Sequence, residues 1–172
     1  MEVIEAIRRK RAVRRYTGQP LPEEAVRRIL YAGRRAQSSK NSQPWRFIAI
    51  RERKTLEELA KMGDFARHLP TAALAVAILM PDYTQRWSIA FDAGQAAAYM
   101  QLAAVELGIG SCLVTLHRPE PARALLGFRE DLHLHVLVAF GYPADPRALE
   151  PASQPGGRQP AEEIAYFEHW GR

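Results

Sequence analysis

The stretch "SIAFDAGQAAAYMQLAAVEL", residues 88–107, constrains the fold most. It has the length of a long helix and is rich in alanine, the best helix former. Gly108 follows where such a helix would stop. Small or apolar residues occupy nearly every side, so the helix has almost no face suited to water. It must lie in a core or at a subunit interface.

The rest of the chain can build that core. It has 172 residues, 47% of them hydrophobic, which suits one globular domain spanning 1–172. Residues 2–10 predict a helix with Val3, Ile4 and Ile7 on one face. "RAVRRYTGQPLP" reads as a loop closed by Gly18, Pro20 and Pro22, and 22–35 as a helix with Val26, Ile29 and Leu30 in a stripe. "WRFIAI" is a strand, 54–62 a short helix, 71–80 a buried strand, "CLVTL" a strand, 119–127 a helix and "LHLHVLVAFG" a strand. This irregular alternation indicates α+β, or α/β with a mixed sheet flanked by helices. The last thirty residues, 143–172, hold five prolines and little apolar mass before "IAYFEHW". They cannot form a core of their own and must float or lie on another surface.

Several classes fall away. No run of eighteen apolar residues occurs and the first residues lack an apolar signal core, so no membrane partner and a cytoplasmic location are expected. Cys112 is the single cysteine, which leaves no internal disulfide and no cysteine-based metal knot. "GIGSCL" opens like a dinucleotide fingerprint but lacks the third glycine and enters a strand, the reverse of the required order. His133 and His135 share a strand face, yet two ligands do not define a metal site, and none is expected.

Charge is unevenly placed. Residues 1–61 hold 16 of the 24 Lys and Arg against 7 acids, and the remainder is net acidic. Either a polyanion or a small phosphorylated ligand would suit this. Arginine outnumbers lysine 20 to 4, which favours planar bidentate contacts and equally suits a GC-rich or thermophilic source. In "RRKRAVRR" (8–15), Ala12 and Val13 interrupt the run and would pin the backbone, giving Lys10, Arg11 and Arg14 defined directions for a phosphate. No aromatic residues interleave for base stacking, so nucleic acid is not the expected partner. "SSKNSQPW" (38–45) then places the chain's one asparagine, Asn41, among hydroxyls and amides. Asn41 and Gln43 each offer donors and acceptors together, as a neutral polar ligand requires.

These segments, followed in order by "LAAVELGIGSC", "LLGF" and "AFGYP", resemble the nitroreductase family of flavin mononucleotide (FMN) enzymes over most of the chain, least at 80–90 and 144–157. The resemblance implies the nitroreductase-like FMN fold and a swapped-arm homodimer with FMN at its interface. Residues 143–172 would form the arm on the partner, anchored by Ile164, Phe167 and Trp170. Lys10 and Arg11 would hold the FMN phosphate. Arg14 would lie at the pyrimidine edge and stabilise charge at N1 and O2. Ser38, Ser39, Asn41 and Gln43 would reach FMN from the partner. Thr115 and Leu116 would face flavin N5, and Arg158 would be a late phosphate arginine. Arg14 and Thr115 are thus the implied catalytic residues. Ala12 and Gln37 depart from the family's serine and proline, which implies weaker or rearranged FMN binding. Phe65, Tyr83 and Trp87 are candidates for the pocket wall or for ordinary packing. The implied activity is ping-pong hydride transfer from NADH or NADPH to nitroaromatic, quinone or related small acceptors. A flavin-storage protein, a flavin enzyme that deiodinates or fragments, and a basic nucleic-acid binder remain alternatives.

Overall fold

The computed structural model describes residues 1–150 and 158–171. Its centre is a four-stranded sheet in the order β1-β2-β4-β3, with β1 at Arg46–Ile50, β2 at Leu74–Met80, β3 at Gly110–Thr115 and β4 at His133–Gly141. Every residue of β2 is buried because the strand is central and covered on both sides. Leu74, Val76, Ile78 and Met80 point to one face, and Ala75, Ala77 and Leu79 to the other.

Helices α2 (Glu23–Arg34) and α4 (Ser88–Glu106) cover the first face. Ile29, Met100 and Phe140 meet there with no exposed surface, each burial contributing about 1.5–3 kcal/mol. Helices α3 (Arg53–Ala60) and α5 (Glu120–Leu126) cover the second face through Leu56, Leu59 and Ala122. The α+β expectation therefore holds, but pairing within the sheet is antiparallel throughout. Its mixed character reduces to one isolated parallel bridge, Ala12 to Ser111. Side-chain periodicity carries no strand direction, so it did not reveal that α4 joins β2 to β3 by a crossover past β4 while every neighbouring pair in the sheet runs antiparallel.

Two apolar surfaces are left uncovered. Helix α1 (Val3–Arg9) buries Ala6, whereas Val3, Ile4 and Ile7 face outward. On α4, Trp87 beside the first turn and Phe91 stand exposed, their rings 6.1 Å apart. The long helix is thus core on one side and bare on another. No helix among the described residues is long and apolar enough to cross a membrane.

Of the arm expected at 143–172, residues 151–157 and 172 lie outside the described residues. Residues 143–150 pack on their own chain: Pro143 bridges Tyr16, the Ala144 N–H donates to the Arg15 carbonyl, and Leu149 is buried. Beyond them come α6 (Ala161–Ile164) and the exposed Phe167 (81%) and Trp170 (87%). Such exposure is costly in water unless a second surface covers it.

Candidate functional site

The basic hook, residues 10–16, is sewn to the sheet edge. The Val13 N–H donates to the Ser111 carbonyl at 3.0 Å, and Thr17 to Tyr142 at 3.0 Å. The buried Tyr16 hydroxyl donates to the Val13 carbonyl at 2.6 Å, and burial keeps that phenol protonated far above its ordinary range. Below the hook lies Gly110, where a Cβ would stand 2.8–2.9 Å from three side-chain atoms of Val13. The second glycine of "GIGS" is therefore a requirement of close approach, not a nucleotide signature. The hook's buried contacts orient its outward residues, Arg14 and the half-covered Lys10 and Arg11.

Lys10 shares its neighbourhood with Arg14, Arg158 and Cys112. Burial is the largest cause lowering its pKa; Cys112 opposes it, and Arg158 and Arg14 reinforce it. Burial likewise raises the Cys112 thiol, consistent with a packed side chain and not a nucleophile. Arg11 turns back to donate to the Arg8 and Lys10 carbonyls at the end of α1. Arg14 and Arg158 thus both press on the charge of Lys10, an arrangement that a dianionic phosphate relieves.

The amide-rich loop sits elsewhere. Its Ser39 N–H donates at 3.0 Å to Asp92, a buried carboxylate of α4. Arg86 donates to the Ser39 carbonyl at 3.1 Å and to the Ser42 hydroxyl at 3.3 Å. Lys40, Asn41 and Gln43 all have positive φ, 54°, 54° and 45°, a region that side chains other than asparagine and aspartate resist. Ser38 accepts from the Gln43 N–H at 2.9 Å, and Gln43 Nε2 donates to Asn41 Oδ1 at 3.2 Å. The two amide side chains are thereby presented together and exposed. Loop and hook hang on different elements, Asp92 of α4 and Ser111 of β3, and exchange no hydrogen bond among the described residues.

A cavity of about 640 Å³ opens beside the hook, between Arg14–Tyr16 and the loop that carries Phe65, Arg67 and His68. His68 is 4% exposed, and neither ring nitrogen makes a well-formed hydrogen bond among the described residues, the Phe65 carbonyl offering only a loose contact. Its pKa is lowered, first by burial, then by Arg14, with the Phe65 carbonyl acting in the opposite sense. The same loop touches the end of β3. A Cβ on Gly63 would lie 2.6 Å from the Thr115 carbonyl oxygen, and the His117 and Arg118 N–H groups donate to Met62. Thr115 is exposed at the strand end, whereas Leu116 is buried and its N–H donates to the His135 carbonyl at 2.9 Å. Leu116 therefore offers packing beneath Thr115, and no free donor. His133 and His135 stack 6.3 Å apart, with Tyr83 edge-on to His135 at 5.6 Å.

The family described as "Nitroreductase family" matches residues 7–84 and 64–142, which together span the hook, the amide loop, α4 and the whole sheet. The chain belongs to the nitroreductase family. It is 30% identical over 151 residues to a candidate NADH dehydrogenase/NAD(P)H nitroreductase of Archaeoglobus fulgidus, covering 84% of this chain and 87% of that one. It is also 30% identical over 196 residues to a Thermus thermophilus protein named NADH dehydrogenase, covering 92% of each. Its fold matches an FMN-dependent nitroreductase of Clostridium difficile with a TM-score of 0.82 at 23% identity, over 97% of this chain and 99% of the other.

Within this nitroreductase, sequence reasoning overlooked two residues. Asp92 was visible as the lone charge within the first eighteen residues of α4, a sign that something must hydrogen-bond it. His68, in "ARHLP", carries no local signal at all, because its burial comes from the hook folding over its loop.

Proposed function

We propose that this nitroreductase is an FMN-dependent NAD(P)H oxidoreductase, working as a homodimer and passing electrons to nitroaromatic, quinone or related small acceptors. The observation that carries the reading is the hook: Lys10, Arg14 and Arg158 gathered with no ion pair to any of them among the described residues, beside a cavity lined by Arg14 and the buried His68. The donor set fits the group. Lys10, Arg158 and a rotated Arg11 supply charge for a phosphate. Arg14 supplies a fixed cation for the electron-rich end of a ring, and His68 an uncommitted nitrogen.

The flavin, when bound, supplies the hydride chemistry. Everything else is the chain's work. Arg14, aimed by the buried Val13 and Tyr16 on either side, favours the negative charge that accumulates at the pyrimidine end. Ala12 contributes no hydroxyl, which leaves the phosphate to charged side chains and backbone. Ser38, Ser39, Asn41 and Gln43 complete the site from the second copy, a role supported by the exposure of Asn41 and Gln43 and by the loop's separation from the hook of its own chain. The exposed faces of α1 and α4 and the aromatic residues after α6 are the surfaces such a dimer would bury, residues 158–171 lying across the partner. Thr115 borders the open side, where donor and acceptor would alternate and give ping-pong kinetics.

The test is direct. Purified protein should be yellow, and anaerobic NADH or NADPH should bleach it; re-oxidation by nitroaromatics, quinones and free flavin then ranks acceptors. Arg14→Ala should lose FMN or bleach slowly. A colourless protein that ignores added FMN ends this reading. A yellow one that neither nicotinamide bleaches leaves flavin storage in its place.

A further inference from the structure

Three guanidiniums line the cavity beside the hook: Arg14 and Arg15 from the hook, and Arg67 from the loop opposite. All are permanently charged at any working pH. Tyr16 also lines it, but its hydroxyl is committed to the Val13 carbonyl and stays protonated. No carboxylate among the described residues lines the cavity. Among these groups only His68 can change its charge near neutrality. It is buried, and apart from a loose contact with the Phe65 carbonyl its nitrogens make no hydrogen bond among the described residues; a buried imidazole so weakly held calls for a partner.

We infer that His68 meets the pyrimidine end of the bound flavin beside Arg14 and takes up a proton when that ring is reduced. This rests on the flavin reading above and goes further than it. With the ring oxidised and neutral, His68 sits among cations only and remains a neutral imidazole, able to donate from one nitrogen and accept at the other. A dihydronicotinamide then gives up a hydride, two electrons and one proton, and departs as the oxidised cation. The ring is left with one negative charge. That charge next to His68 reverses its surroundings and favours the imidazolium. One solvent proton goes to the open nitrogen of His68, and the net charge in the cavity is restored. Re-oxidation passes the two electrons and the hydride's proton on to the acceptor, and releases the His68 proton to acceptor or water. Fixed arginines attract the reduced ring but cannot perform this exchange.

The measurement is the pH dependence of the bound flavin's two-electron potential, with His68→Gln as the comparison, since glutamine hydrogen-bonds but cannot be protonated. Each proton taken up with two electrons adds about 30 mV per pH unit, a tenfold change in equilibrium constant. Wild type should show a slope of about 60 mV per pH unit around neutrality, and His68→Gln about 30. Nitrogen-15 NMR of the wild-type histidines supplies a readout independent of the variant's folding. The two nitrogens of His68 should be inequivalent in the oxidised complex and nearly equivalent in the reduced one. Equal slopes, or His68 shifts that do not respond to reduction, overturn the inference while leaving FMN binding intact. A wild-type protein that binds no FMN in a fluorescence titration fails earlier, and removes the cofactor reading together with this one.

Discussion

Replacing Gly110 by alanine tests whether the hook's position, rather than its charge alone, sets affinity for FMN. Gly110 touches no ligand-facing residue. Its added Cβ would meet Val13 Cβ and Cγ2 at 2.8 Å and Cγ1 at 2.9 Å. Rotating Val13 cannot relieve this, because Cβ itself is one of the offending atoms. Carbon contacts relax to about 3.5–4.0 Å, so hook and β3 must part by about 0.7–1.2 Å. The Val13–Ser111 hydrogen bond, now 3.0 Å, resists the movement. Overpacking of this kind costs about 1–3 kcal/mol of stability. A charged contact displaced that far no longer qualifies as a hydrogen bond, and the loss of one is worth about 1.5–3 kcal/mol. The FMN dissociation constant should therefore rise about ten- to hundredfold. Fluorescence titration gives the affinity, and urea unfolding shows that the variant is folded. Adding Val13→Gly removes all three clashing atoms and should recover part of the affinity. A folded Gly110→Ala protein with unchanged affinity would refute the idea that β3 positions the phosphate-holding cations.

Other consequences are open to measurement. Asp92→Ala removes the acceptor of the Ser39 N–H, worth about 1.5–3 kcal/mol locally, so hydrogen exchange at Ser39 should speed up and FMN affinity fall although the hook is untouched. Phe167→Ala with Trp170→Ala should raise the dimer dissociation constant at least tenfold, at about 2 kcal/mol or more for a buried aromatic anchor; unchanged sedimentation equilibrium would free residues 158–171 from that role. His68 gives the apoprotein a pH dependence of known sign. Its folded pKa lies below the ordinary 6.5, so between the two values the unfolded chain holds more protons. Stability from this source is complete above 6.5 and declines as pH falls through it, and urea midpoints should show a smaller decline in His68→Gln.

The sequence reveals those parts of the molecule that chemistry writes locally. Alternating or continuous apolar runs mark all four strands, and the alanine-rich run marks α4 to within a residue or two. Hook and amide loop stand out because their residue types are wrong for a core and wrong for a plain solvated face. Strand direction and order are not local, and "WRFIAI" pairing antiparallel with "LAVAILM" depends on how α3 returns the chain. The burial of His68 is a tertiary event, made by Tyr16 and its neighbours closing over a loop without periodicity. The apolar triad Val3, Ile4 and Ile7 was legible as a face, but not that this face would turn away from its own core.

A newly synthesised chain reaches its tertiary fold with Ile4, Trp87, Phe91 and Trp170 still wet. In the homodimer proposed above a second copy would cover these patches, and until it did they would compete for any sticky surface in the cell, so the yield of usable protein should climb faster than gene dosage. Translation from neighbouring ribosomes on one messenger, which places two nascent copies side by side, would shorten that vulnerable interval.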